Sequence, residues 1–174
     1  MRIRDIVSED FTNYKKPSMF ICMGWCNWKC CIEQNLDISI CQNSDVAKTP
    51  ERDFDNNFII DMYLSNPITE AVVIGGLEPF TYAYGLYKFI SEFRKVCDDE
   101  IVIYTGYNPE ELYMELNQLL EFENIIIKFG RYIPGHKPHK DNILGVDLAS
   151  DNQYAIKLDA KLLKAIDINT IEDI

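Results

Sequence analysis

Three short apolar runs, separated by segments with helical spacing, constrain this chain most: Ala71, Val72, Val73 and Ile74; Ile101, Val102, Ile103 and Tyr104; Ile125, Ile126 and Ile127. Each is long enough for a strand buried on both faces and too short for a helix. Between the first two, Leu86, Phe89, Ile90 and Phe93 recur at helical spacing within residues 82–97. Between the second and third, Asn108 suits an N-cap, Pro109 the first helical position, and Glu110 and Glu111 the positive end of the helix dipole. A helix to about Leu120 is therefore expected, with another over residues 58–64 and a last strand over 154–158. Such alternation within about sixty residues predicts an α/β fold with a parallel sheet, whose ligand sites lie beyond the C-terminal ends of its strands. With an earlier strand ending near Phe20, the informative loops are those after Phe20, Ile74, Tyr104 and Ile127. No repeat or linker divides the chain, so one domain over residues 1–174 is expected.

The first of those loops holds the chemistry. Cys22, Cys26, Cys30, Cys31 and Cys41 place five of the six cysteines within twenty positions. Met1-Arg2-Ile3-Arg4-Asp5-Ile6 is too charged for a signal peptide, so reduced thiols and a metal site are expected rather than a disulfide framework. No run approaches the roughly 20 apolar residues that span a bilayer, and a cytoplasmic, membrane-free protein is expected. With 174 residues, 47% of them hydrophobic, the chain can bury one core without disulfides. A net charge of −11 and the lack of a basic stripe argue against nucleic acid as a partner. The acidity serves solubility or an acidic docking face.

Read in order, the loops resemble the radical S-adenosylmethionine enzymes, and within them the activating enzyme of the anaerobic ribonucleotide reductase. The cysteines are followed by Gly75-Gly76-Leu77-Glu78-Pro79, then by Tyr104-Thr105-Gly106-Tyr107 with Glu110-Glu111-Leu112 downstream. Lys128-Phe129-Gly130-Arg131-Tyr132 and Ser150-Asp151-Asn152-Gln153 look like that family's late segments, so the resemblance covers nearly the whole chain. It differs in having Asn13-Tyr14-Lys15-Lys16-Pro17-Ser18 where the family carries Gly-Pro-Gly-x-Arg, and in Leu77, which interrupts the usual Gly-Gly-Glu.

The resemblance implies a 4Fe-4S cluster on three thiolates, with S-adenosylmethionine bound at the remaining iron and cleaved to methionine and a 5'-deoxyadenosyl radical. Gly75 and Gly76 suit a close backbone approach to the methionine end. Glu78 is placed to accept from the ammonium or to hold its loop, and Thr105 belongs to the matching Thr-Gly-Tyr segment. Lys128 either faces the cofactor's carboxylate or is solvated. Asn152 and Gln153 are implied to lie near the cluster opening.

No cysteine triplet has the family's C-x3-C-x2-C spacing. By resemblance the preferred ligands are Cys26, Cys30 and Cys41: Gly24 and Trp25 precede Cys26 as a turn does there, and Cys41 is followed by Gln42-Asn43. Ile40 then takes an apolar position near adenine. Cys22 is the competing ligand or a core thiol, Cys31 is the spare because consecutive side chains diverge, and Cys97 is a core residue. Zinc is the other candidate metal, with His136 and His139 as possible ligands, although no C-x2-C pair exists and both histidines sit in a Gly/Pro-rich loop. Tyr82, Tyr84, Tyr87, Phe89 and Phe93 divide between core and a contact face.

A closed eight-unit barrel needs about 250 residues, so the fold expected is a partial (β/α)6-type radical SAM barrel of parallel strands with an open side. An open side admits a protein substrate. The resemblance implies a glycyl radical reductase subunit as that partner and a low-potential electron donor such as flavodoxin. The alternatives are a radical enzyme acting on another protein, a peptide or a small molecule, and a non-catalytic iron-sulfur or zinc binding module.

Overall fold

The computed structural model of the chain describes residues 1–160. The last fourteen positions of the domain expected over 1–174 lie outside them. Strands β1 (Arg2–Asp10), β2 (Ser18–Met23), β3 (Arg52–Asp53), β4 (Ala71–Gly75), β5 (Glu100–Tyr104), β6 (Ile125–Phe129) and β9 (Tyr154–Lys157) form one seven-stranded sheet, ordered β3-β1-β2-β4-β5-β6-β9. The four central strands β2, β4, β5 and β6 are parallel, while β1, β3 and β9 join antiparallel. Among the described residues the sheet does not close, and its edge strands are β3 and β9. A short pair, β7 (His139–Lys140) with β8 (Asp147–Leu148), stands apart from it.

Helices α2 (Asn56–Leu64), α3 (Ala83–Phe93) and α4 (Tyr113–Leu119) connect the parallel strands. The period-two alternation of the strands sorts their side chains. Ile21, Ile74, Ile103 and Ile127 share a core with Ile59, Leu86, Phe89 and Leu116 of the helices. Ala71, Val73, Val102 and Ile126 face the other way, where Tyr14, Leu144 and Leu148 cover them. Helices α2, α3 and α4 therefore lie on one face, and among the described residues irregular chain carrying Tyr14 and Leu144 covers the other. The helix expected from Asn108 begins as a tight 3₁₀ turn over Pro109–Leu112, with the Glu111 carboxylate accepting from the Asn108 N–H at 2.8 Å, before α4 continues it.

Strand β1 escapes a pattern reading. Its sequence mixes charged and aliphatic residues without a regular period, and only Ile3 and Asp10 are buried. It is held by pairing with β2, on which Ile6 faces Ile21 and Val7 faces Phe20. Among the described residues no helix is long and apolar enough to cross a membrane.

Candidate metal centre

The loops after β2, β4, β5 and β6 meet in a cleft of about 270 Å³ at the C-terminal ends of the parallel strands, close to the lower end of the usual ligand-pocket range. Cys26, Cys30, Cys31 and Cys41 line it together with Glu78 and Lys128. Gly76, Thr105, Ile40 and Gln153 also line it; Gly75, Cys22 and Asn152 do not.

The cysteine segment is shaped locally. After β2 the chain turns at Gly24, whose carbonyl accepts from Arg4 Nε at 2.7 Å. Trp28 takes a left-handed conformation, φ 59, which reverses the chain between Cys26 and Cys30 and starts the five-residue helix α1 (Lys29–Glu33). Gln34 Nε2 ties that helix down by donating to the carbonyls of Cys30 (2.8 Å) and Tyr132 (2.9 Å). A 3₁₀ turn over Ile38–Ile40, with Asp37 accepting from the Ser39 N–H at 2.8 Å, returns the chain to Cys41. Burial pushes the Cys26 thiol up to about 11 and, with the nearby charges of Glu78 and Cys26, the Cys30 thiol up to about 12. All six cysteines are free.

Cys22 lies elsewhere. It belongs to β2, is 7% exposed, and packs against Gly76, where an added Cβ would meet its Sγ at 3.4 Å. Cys97 is half-buried against the helix-side core. Gly75 is covered by Tyr104 and Phe20: a Cβ there would sit 3.0 Å from Tyr104 Cβ, so packing accounts for that glycine. Gly76 has φ +75, a conformation that side chains disfavour, and it borders the cleft directly.

Glu78 joins two loops. Its Oε1 accepts from Thr105 Oγ1 (2.8 Å) and the Phe80 N–H (3.2 Å), and its Oε2 accepts from the Gly106 N–H (2.9 Å). Burial raises its pKa against the pull of those donors and of Lys128. Lys128 is not a solvated lysine. It is 6% exposed, its Nζ donates to the Gly130 carbonyl at 2.9 Å, and burial pushes its pKa down to about 8 despite the Cys30 and Glu78 charges. Gln153 Nε2 donates to the same carbonyl at 3.2 Å, and Asn152 Nδ2 to the Arg131 carbonyl at 2.8 Å.

A charged clamp that no motif suggested holds α1 over the strand ends. Arg131 pairs with Glu111 through both terminal nitrogens at 2.7 Å and places its Nε 2.7 Å from Glu33, while Lys29 bonds to Glu111 and pairs with Glu33 at 3.4 Å. The Arg131 guanidinium holds the Glu111 carboxyl down at about 2. Lys29 and Glu33 form an i,i+4 helix pair, but its closure onto Arg131 joins positions about a hundred residues apart, which spacing rules do not reach. Arg131→Met is expected to destabilise the cluster-free chain by about 1–2 kcal/mol, discounted for the exposure of Glu33. Urea denaturation measures it, and an unchanged midpoint would remove the clamp from the account.

Among the described residues no three His, Cys, Asp or Glu side chains converge tightly enough to hold a single ion. Cys26, Cys30, Cys31 and Cys41 nonetheless all line the same cleft. Neither histidine joins them: His136 pairs with Asp151 at 2.6 Å, and His139 lies in β7 opposite Leu148. Gly106 contributes by having no side chain, since a Cβ there would stand 2.4 Å from Cys30 Sγ. Gly106→Ala must turn the Cys30 thiol away, and iron affinity after anaerobic reconstitution is expected to fall roughly 10-fold or more, as for other disturbed metal-ligand surroundings. Unchanged iron content would mean that Cys30 has another route to the metal.

The model of the 4Fe-4S single cluster domain, a domain found in proteins of the radical SAM type, matches residues 19–155 and so includes every cleft-lining cysteine. No curated protein and no solved structure matches the chain.

Proposed function

The chain belongs to the 4Fe-4S single cluster domain family, and we propose that it is a radical S-adenosylmethionine enzyme, an activase that places a glycyl radical on an anaerobic ribonucleotide reductase. Cys26, Cys30 and Cys41 would hold the cluster, which supplies the electron for reductive cleavage of the sulfonium to methionine and a 5'-deoxyadenosyl radical. The observation that carries this reading is the presence of two buried charged groups, Glu78 and Lys128, in the same cleft as the thiols. A cluster that only relays electrons needs thiolates, whereas a buried acid and a buried amine that each keep hydrogen-bonding capacity toward a cleft suit a charged ligand.

An amino-acid group is what they suit. A carboxylate offers about four lone-pair sites; three of those on Glu78 are taken, and the one left on Oε2 can accept from an ammonium. Lys128 uses one of its N–H donors on Gly130 and keeps others for a carboxylate. Gly76 lines the cleft without a side chain, and Thr105 fixes the rotamer of Glu78 by donating to its Oε1. Ile40, 44% exposed on the cleft rim, offers an apolar surface for adenine.

Among the described residues the sheet does not close around the cleft, and a protein partner that covers it would shield a radical from water. A low-potential donor such as flavodoxin would supply the electron. Anaerobic incubation of reconstituted protein with dithionite and S-adenosylmethionine is expected to yield methionine and 5'-deoxyadenosine, and addition of the host's glycyl radical reductase to yield that protein's radical signal. Cleavage without transfer would move the acceptor to another protein, a peptide or a small molecule. Absence of cleavage would reduce the chain to an iron-sulfur binding module.

A further inference from the structure

The turn between Cys26 and Cys30 is strained, and the side chains that hold it have no role in the reading above. Trp28 has φ 59 and ψ 21, a left-handed conformation that bulky residues rarely adopt and that persists only where the surroundings impose it. Within this turn the Trp28 N–H donates to Cys26 Sγ at 3.3 Å, and the Trp28 carbonyl accepts from the Cys31 and Ile32 N–H groups at 2.9 and 3.0 Å, which begins α1. Asn27 spans the strained residue. Its Oδ1 accepts from the Lys29 N–H at 3.2 Å, and its Nδ2 donates to the Tyr107 hydroxyl oxygen at 2.6 Å. Tyr107 is a fixed post for that contact. Its N–H donates to Thr105 Oγ1 and its carbonyl accepts from the Gly130 N–H, both at 3.0 Å, while its ring packs against the helix-side core and lies 5.3 Å from Lys29 Nζ.

From this chain of contacts we infer that Tyr107 is a positioning residue for the metal centre: its hydroxyl, acting through Asn27, holds Trp28 in the left-handed conformation and so keeps the Trp28 N–H on the Cys26 sulfur. Hydrogen bonds to the sulfurs are among the features that set the reduction potential of an iron-sulfur cluster. An N–H aimed at a ligand sulfur offsets the negative charge added on reduction and raises that potential. The inference rests on Cys26 and Cys30 as the proposed cluster ligands and is independent of S-adenosylmethionine cleavage.

The test compares wild type, Tyr107→Phe, Trp28→Gly and the double variant, each reconstituted anaerobically with iron and sulfide and without S-adenosylmethionine. The midpoint potential is read by EPR-monitored titration, and the rate of iron loss by transfer to a chelator. Tyr107→Phe removes one oxygen and keeps the ring. It is expected to assemble the cluster, to shift its potential to more negative values, so that the reduced-to-oxidised ratio at a fixed poise falls roughly threefold or more, and to lose iron several-fold faster. Glycine takes the left-handed conformation without strain, so the effect of Tyr107→Phe on both quantities is expected to shrink in the Trp28→Gly background. An unchanged potential in Tyr107→Phe would overturn the inference even if iron loss were faster, because a residue that only stabilises the fold speeds loss without moving the potential. An effect of equal size in the Trp28→Gly background would overturn it as well, since Tyr107 would then act by another route. If Tyr107→Phe with wild-type circular dichroism holds too little cluster to titrate, the double variant decides: recovery of cluster there supports the inference, and no recovery overturns it. Absence of a cluster in wild type would remove the proposed metal centre and this inference together, whereas a wild-type cluster with indifferent variants would remove the inference alone.

Discussion

Cys30→Ala is expected to abolish stable cluster binding, with iron after reconstitution and desalting close to background, while Cys22→Ala keeps the wild-type content. Cys30 lines the cleft beside Gly106, with Glu78 and Cys26 as neighbours. Cys31 faces Cys41 and does not reach that corner, so no other thiol replaces it. Cys22 points from β2 onto Gly76 and does not line the cleft. Its truncation removes a small buried group and costs on the order of 1 kcal/mol of packing. Iron and sulfide assays on both variants decide the matter, and full iron in Cys30→Ala together with loss in Cys22→Ala would reverse the ligand assignment.

Glu78→Gln has the second large effect, a fall of roughly 100-fold or more in the rate of S-adenosylmethionine cleavage, comparable with removal of one preorganised polar group from other active sites. Two losses combine. The neutral amide no longer offsets the charge of an ammonium, and its NH₂ must face at least one of the three donors that the carboxylate now satisfies. The second loss loosens the contact between the loops after β4 and β5 and is expected to cost about 1–3 kcal/mol. Cluster content separates the two: the cysteines are untouched, so the iron should remain while cleavage is lost. Unimpaired cleavage in Glu78→Gln would confine this residue to holding its loops.

Much of this was legible in the sequence, for physical reasons that differ from element to element. The runs at Val72, Ile101 and Ile125 are buried on both faces, and the helices between them show their spacing because one side of each must cover those strands. The antiparallel β1 was not legible, since a strand near the sheet edge with two buried residues has almost no apolar period to detect. At the site, the rule that ligands gather beyond parallel strand ends located the loops. It could not say which glycine answers to packing and which to backbone conformation, a difference set for Gly75 by Tyr104 and for Gly76 by its positive φ. Nor could it place Lys128. A lysine at the end of an apolar run reads the same whether it meets water or a cleft, and here its pairing opposite Ala155 of β9, with the Gly130 carbonyl within reach, turns it inward. The neighbouring thiols Cys30 and Cys31 are distinguished only once α1 has an orientation, which the charged clamp to Glu111 and Arg131 provides.

EPR of the reduced, reconstituted protein with and without S-adenosylmethionine decides whether that molecule binds at an iron of the proposed cluster. The expected result is a reduced 4Fe-4S signal whose spectrum shifts when S-adenosylmethionine is added. A cluster that forms in full, with a spectrum indifferent to S-adenosylmethionine, would contradict it.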